Sequence, residues 1–267
     1  MKISVIIPAF KDPLVHPTIE SLLLNSELND QMEIIVVLDG YWPEIPIKQD
    51  DRVKIVHLGK NRGMRDAINA GVEVAGGEFI LRSDQHCAFA RGFDRILVED
   101  CKPNWIMTAV RYFLDPIKWE VMKEHDPVIT EKLIIQDNKK FSGVRWRSRD
   151  EKYRDRDLIE SMAMQGSCWF MPRKWFMDMI YPLQTEGYGQ MYQDSHEMIF
   201  KTWKAGGKLM VSKKTWFAHK HRSFTAGRHE GTKENPSNRG NNFDAGRYAL
   251  SVWRDYYENE IRPKWKI

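Results

Sequence analysis

The chain has 267 residues, 42% hydrophobic and 29% charged, with a formal net charge of +4. Those values describe an ordinary soluble globular protein with enough apolar residues for a sizeable core, in one α/β domain or two small ones, and they exclude a coreless disordered chain. The slight basic excess permits an anionic partner without requiring one.

"KISVIIPAF" (2–10) is an apolar run stopped by Pro8 and reads as a buried strand. "HPTIESLLLNS" (16–26) places Ile19, Leu22 and Leu23 at helical spacing, with Pro17 in the first turn. "MEIIVVLDG" (32–40) and "VKIVHLG" (53–59) are two further strands. "GMRDAINAGVEVAGGEF" (63–79) is a helix with Ala67, Ala70 and Val74 on one side, closed by Gly76-Gly77. "EFILRSD" (78–84) is the next strand. This alternation, with continuous apolar strands, predicts an α/β fold with a mostly parallel sheet covered on both faces. Ligands gather at the carboxyl ends of such strands, where Pro8-Ala9-Phe10, Asp39-Gly40 and Asp84-Gln85-His86 fall.

The middle of the chain, about 111–160, has no clear period. Within it "RWRSRDEKYRDRD" (145–157) reads either as a solvated, salt-bridged surface or as a phosphate-contacting patch. "QGSCWFMPRKWF" (165–176) is a strand, a turn at Pro172 and a helix start. "YQDSHEMIFKTWKAGGKLMVS" (192–212) is a helix ended by Gly206-Gly207, with a strand after it. "FAHKHRSFTAGRHEGTKENPSNRGNN" (217–242) is a long polar segment of the kind that is either a functional lid or disordered. "AGRYALSVWRDYYENEI" (245–261) is a closing helix.

Three cysteines, Cys87, Cys101 and Cys168, have no metal or disulfide spacing and read as reduced thiols. Met1 leads directly into a strand with no cleavage site, and no apolar run approaches the ~20 residues of a membrane span. A cytoplasmic location is therefore expected, with no transmembrane segment and no protein partner inferred. Ten tryptophans are many for this length; most read as core, and a few suit stacking against a sugar or a base.

Asp84 and His86 stand two apart where a strand runs out. In an extended strand they share a face, and a carboxylate with an imidazole suits a hard-to-borderline divalent ion.

"SVIIPAF", "EIIVVLDG", "NRGMRDAINAG" and "GEFILRSDQH" follow the order and spacing of the first half of family 2-type glycosyltransferases with the GT-A fold. Asp-x-His followed by Cys is similar to the Asp-Ser-His-Cys of the polypeptide N-acetylgalactosaminyltransferases. The likeness continues through "QGSCWFM", "YQDSHEMIFKTWKAGGKL", "AHKHR" and "GRYALSVWRDYYE", so it spans nearly the whole chain. It departs where "YGQMYQ" replaces the family's Gly-Gly before the acidic helix.

The resemblance implies one Rossmann-like GT-A domain over 1–267, with a nucleotide-binding half (1–90) and an acceptor half (91–267) carrying a mobile loop at 220–242. It implies Mn²⁺ or Mg²⁺ held by Asp84, His86 and His219, with His221 as the rival third ligand. A UDP-sugar donor (UDP-GalNAc, UDP-GlcNAc or UDP-glucose) would meet Pro8, Ala9, Phe10, Asp39, Arg65 and Asp84. Arg222 would contact the diphosphate, and of Asp194 and Glu197 one would be a catalytic base or acceptor-orienting carboxylate and the other a structural acid. The acceptor hydroxyl belongs either to a glycan or to a hydroxymethylpyrimidine in DNA, the latter raised by the arginines of 145–156. The competing reading is a non-catalytic module that binds nucleotide sugars or nucleic acid.

Overall fold

The computed structural model describes residues 1–221 and 241–267. Arg222 and the rest of the polar segment at 222–240 lie outside the described residues.

Chain order explains the layers. Strand β1 (Ile3–Ala9) leads to helix α1 (Val15–Asn25), strands β2 (Met32–Leu38) and β3 (Val53–His57), helix α2 (Met64–Glu73) and strand β4 (Phe79–Ser83). Every residue of β1 and β2 is buried, as expected of parallel strands covered on both faces. Two of those buried residues are polar. Glu33 accepts from the Ser4 hydroxyl at 2.6 Å and the Gly76 amide at 2.8 Å, and pairs with Lys54 at 2.5 Å. Each acceptor in this small network is therefore occupied, which removes the penalty of burying it.

A short β5 (Cys87–Phe89), α3 (Phe93–Asp100), the long β6 (Trp105–Asp115) and β7 (Glu120–Val121) follow. Next come the hairpin of β8 (Glu131–Gln136) and β9 (Lys140–Arg145), α4 (Arg147–Lys152), β10 (Leu158–Glu160), β11 (Cys168–Pro172) and α5 (Arg173–Trp175). Helix α6 (Asp194–Lys204), β12 (Lys208–His219) and a closing helix over Asn241–Tyr256 complete the described chain. The main sheet runs β10-β12-β6-β11-β4-β1-β2-β3. β1 pairs in parallel with β2 and β4, and β12 with β6, whereas β11 enters antiparallel between β4 and β6.

Three differences from the sequence reading matter for the site. Helix α2 stops at Glu73 rather than at the Gly76-Gly77 pair, whose amides bind the side chains of Glu33 and Ser4 instead. Residues 217–219 are not loop: β12 continues to His219 because its far end pairs with β5, Phe217 opposite Phe89 and His219 opposite Cys87. The hairpin of β8 and β9 turns through Asp137 and Asn138, both at positive φ, a conformation those two residue types tolerate well. The arginines around α4 are largely engaged locally. Arg145 and Arg147 lie 3.6 and 3.5 Å from Asp126, and the Arg149 guanidinium rests over Trp146, Tyr153 and Trp265.

Candidate active site

A cleft of ≈ 910 Å³ opens at the carboxyl ends of β1, β2 and β4. It is walled on the far side by the loop before β11 and the start of α6. Its size suits a small-molecule ligand well.

At its floor, Asp84, His86 and His219 each present one ligand atom, all within 4.8 Å of one another. The Asp84 Oδ2 lies 3.1 Å from Nε2 of His219 and 3.8 Å from Nε2 of His86. Asp84 and His86 do not sit in an extended strand, because β4 ends at Ser83. Strand pairing brings the third group in. β12 lies against β5, and the Lys220 amide donates to the His86 carbonyl at 3.1 Å, so His219 is carried to the turn that holds the other two. The ring of His221 stands 6.5 Å from that of His219 and packs edge-on against Phe113.

Asp12, not singled out in the sequence, supports this cluster. Its buried carboxylate takes the Leu14 amide at 3.0 Å on Oδ1 and faces Nδ1 of His86 at 3.0 Å through Oδ2. With Nδ1 facing Asp12, His86 turns its Nε2 toward Asp84, the usual support for an imidazole that ligates a metal. Burial pushes Asp12 up, but the contact with His86 and the Leu14 amide outweigh it and hold the carboxyl low. Asp84 behaves alike: burial opposes its charge, and Arg82 with the two imidazoles holds it well below the ordinary carboxylate range. Burial pushes His219 down to about 4 against the pull of Asp84. The set thus offers an ionised carboxylate and, at His219, a neutral imidazole, the protonation a divalent cation requires. Mixed N and O donors suit Mn²⁺, and the residues present fit such an ion.

Arg82 was also overlooked. It sits within β4, a buried charge in an apolar strand, and donates to Asp84 Oδ1 at 2.5 Å and to the Gly166 carbonyl. A charged residue inside "FILRSD" was the available signal. Gln85 is the third such residue: its amide donates to the Phe10 carbonyl at 3.2 Å and accepts from the Phe10 amide at 2.9 Å, locking the end of β1 to the turn after β4.

Pro8, Ala9, Phe10, Asp39 and Asp84 all line the cleft. Asp39 is already committed: its carboxylate accepts from the Arg62 amide at 2.6 Å, the Gly63 amide at 2.8 Å and the Asn61 side chain at 2.9 Å. It builds the loop that enters α2, and burial raises its affinity for a proton. A nucleotide would meet only a remaining lone pair of this group.

Asp194 opens α6 and borders the cleft, with its Oδ2 buried and without a hydrogen-bond partner among the described residues. Burial raises its pKa above the ordinary value, with Arg82 and Arg65 opposing. A Cβ on Gly166 would fall 2.9 Å from that oxygen, so only glycine at 166 leaves this approach open.

Glu197 and Arg65 are elsewhere. Neither borders the cleft; they form an ion pair buried beneath it, in which Glu197 also meets Lys201 at 2.7 Å. Arg65 further donates to the carbonyls of Gln184 at 2.8 Å and Tyr192 at 2.7 Å, and its guanidinium lies over the Tyr188 ring. One turn of helix separates Asp194 from Glu197 and gives them opposite surroundings. Trp169 is core, stacked on Phe176 with ring centroids 5.6 Å apart.

Residues 4–180 match the description Glycosyl transferase family 2. Among curated proteins, polypeptide N-acetylgalactosaminyltransferase 4 of Mus musculus is 25% identical over 251 residues, covering 91% of this chain and 39% of that protein. Polypeptide N-acetylgalactosaminyltransferase 5 of Caenorhabditis elegans is 24% identical over 198 residues, covering 72% of this chain and 30% of that one. The chain therefore spans well under half the length of either relative. A crystal structure of GalNAc-T7 with UDP, GalNAc and Mn²⁺ superposes with a TM-score of 0.71 at 16% identity, over 98% of this chain and 50% of that one. The Rossmann-like GT-A architecture expected from the sequence is the one found. No helix among the described residues is long and apolar enough to cross a membrane.

Proposed function

Because the chain belongs to glycosyl transferase family 2, we propose that it transfers a sugar from a UDP-sugar to an acceptor hydroxyl with a divalent ion, Mn²⁺ or Mg²⁺, at Asp84, His86 and His219. The observation that carries this reading is the convergence of those three side chains on the floor of a cleft at the carboxyl edge of the sheet. Support comes from the GalNAc-T7 structure, which holds UDP, GalNAc and Mn²⁺ in the same fold.

Bound there, a divalent ion supplies electrostatic stabilisation of the negative charge that builds on the leaving phosphate. The chain's own groups do the rest. Asp12 faces Nδ1 of His86 at 3.0 Å and so orients the ring with Nε2 toward Asp84. Lys11 and Lys220 both line the cleft and suit a diphosphate. Phe10 and Tyr41, packed edge to face at 5.7 Å, wall the nucleoside end. Asp194 Oδ2 is the unpartnered acceptor at the opposite wall, where it takes a hydroxyl proton of the sugar or of the acceptor. Arg222 is assigned to the diphosphate by the family motif alone.

The acceptor is read as a glycan hydroxyl rather than hydroxymethylated DNA, because the arginines that suggested nucleic acid are paired with Asp126 or stacked on aromatic rings. A cytoplasmic site of action is proposed from the three free cysteines, which suit a reducing compartment. The test is release of UDP from a panel of UDP-sugars with Mn²⁺, with and without saccharide or hydroxymethylated DNA acceptors. Activity with a saccharide and none in Asp84→Ala is expected. UDP-sugar binding without turnover on any acceptor would favour the non-catalytic module.

A further inference from the structure

The Arg82 side chain is the most unusual group in the cleft. A guanidinium at 1% exposure stands near the end of an apolar strand, directly beside the carboxylate of the metal cluster. One Nη donates to Asp84 Oδ1 at 2.5 Å; the other donates to the Gly166 carbonyl; Met64 Sδ lies at 3.0 Å. Its Nε is buried with no partner among the described residues. Burying such a group is expensive unless its neighbours compensate.

The geometry at Asp84 indicates the return. Of its two oxygens, Oδ1 belongs to Arg82, and Oδ2 alone faces His219 and His86. We propose that Arg82 is a positioning residue that restricts Asp84 to one-oxygen ligation and thereby sets which divalent ion the cluster prefers; this rests on the metal reading above. A carboxylate free to use both oxygens suits Ca²⁺, which accepts bidentate carboxylates and takes about six to eight oxygen ligands at roughly 2.3–2.6 Å. A one-oxygen carboxylate with two imidazoles suits the smaller, more nitrogen-tolerant Mn²⁺.

The test measures binding of the ions themselves, not turnover. Wild type, Arg82→Met and Arg82→Lys are titrated with Mn²⁺ by loss of the free-ion EPR signal and with Ca²⁺ by competition. Thermal unfolding of each variant reports whether it is folded. Arg82→Met frees both Asp84 oxygens and is expected to lower the Mn²⁺ over Ca²⁺ preference about tenfold. Arg82→Lys keeps the charge with a single-point donor and is expected to fall between. An unchanged ratio in folded Arg82→Met overturns the proposal, as does an unchanged ratio in Arg82→Lys should the methionine variant not fold. Equal weakening for both ions also overturns it, because that is what a merely structural arginine would give. Failure of wild type to bind any divalent ion would instead sink the metal reading.

Discussion

Nδ1 of His86 lies 3.0 Å from Oδ2 of Asp12, a contact that joins the loop after β1 to the turn after β4. It orients one imidazole of the metal cluster from a residue 74 positions earlier in the chain. Asp12→Ala should weaken Mn²⁺ binding by about 10–100-fold, with Asp12→Asn losing less because its amide oxygen still accepts from Nδ1. Mn²⁺ titration of the two variants checks the order.

Gly166 faces Asp194 closely enough that a methyl group would fall 2.9 Å from Oδ2. Gly166→Ala should displace that carboxylate and cut kcat by roughly 10–100-fold, while Mn²⁺ affinity stays near wild type. Steady-state kinetics beside a metal titration separate the two effects.

The buried Arg65–Glu197 pair makes the opposite prediction for the second acid of α6. Glu197→Ala strands Arg65 and should cost about 3–5 kcal/mol of stability. Urea unfolding measures this, and Arg65→Met combined with Glu197→Leu should recover a good part of the loss. A folded, fully stable but inactive Glu197 variant would return this residue to the catalytic set.

His196, buried on α6 beside Phe141, has its pKa pushed down to about 4 by burial, with Lys140 adding to the effect. Its unfolded value is near 6.5. The folded state therefore holds fewer protons between those values, and stability rises with pH across that window. The contribution is fully present above about 6.5 and is lost as pH falls toward 4, amounting to ~3 kcal/mol. His219 shifts in the same direction, so His196→Phe should flatten only its own share of the slope in denaturant midpoints measured from pH 7 to pH 4.

How much of this was readable in advance depended on how local each cause was. The strands at 3–9 and 32–38 are continuous apolar runs, and their period alone locates them. Asp84 and His86 announce themselves by chemistry and spacing. His219 did not: only the family motif pointed to it, because the β5–β12 pairing that delivers it joins segments more than a hundred residues apart. Asp12 and Gly166 act through loop contacts that leave no periodic trace, whereas Arg82 betrays itself only as a charge within an apolar strand. Asp194 and Glu197 look alike on a helical wheel, yet one meets the cleft and the other a buried guanidinium. Segment 111–160 resisted because its strands mix charged and apolar positions, although the Asp137-Asn138 turn was a usable mark.

The most direct measurement is Mn²⁺ titration of wild type, Asp84→Ala, His219→Ala and His221→Ala, followed by free-ion EPR. The account predicts one ion per chain in wild type and His221→Ala, and loss of binding in Asp84→Ala and His219→Ala. Undiminished binding in His219→Ala, or loss confined to His221→Ala, would contradict it.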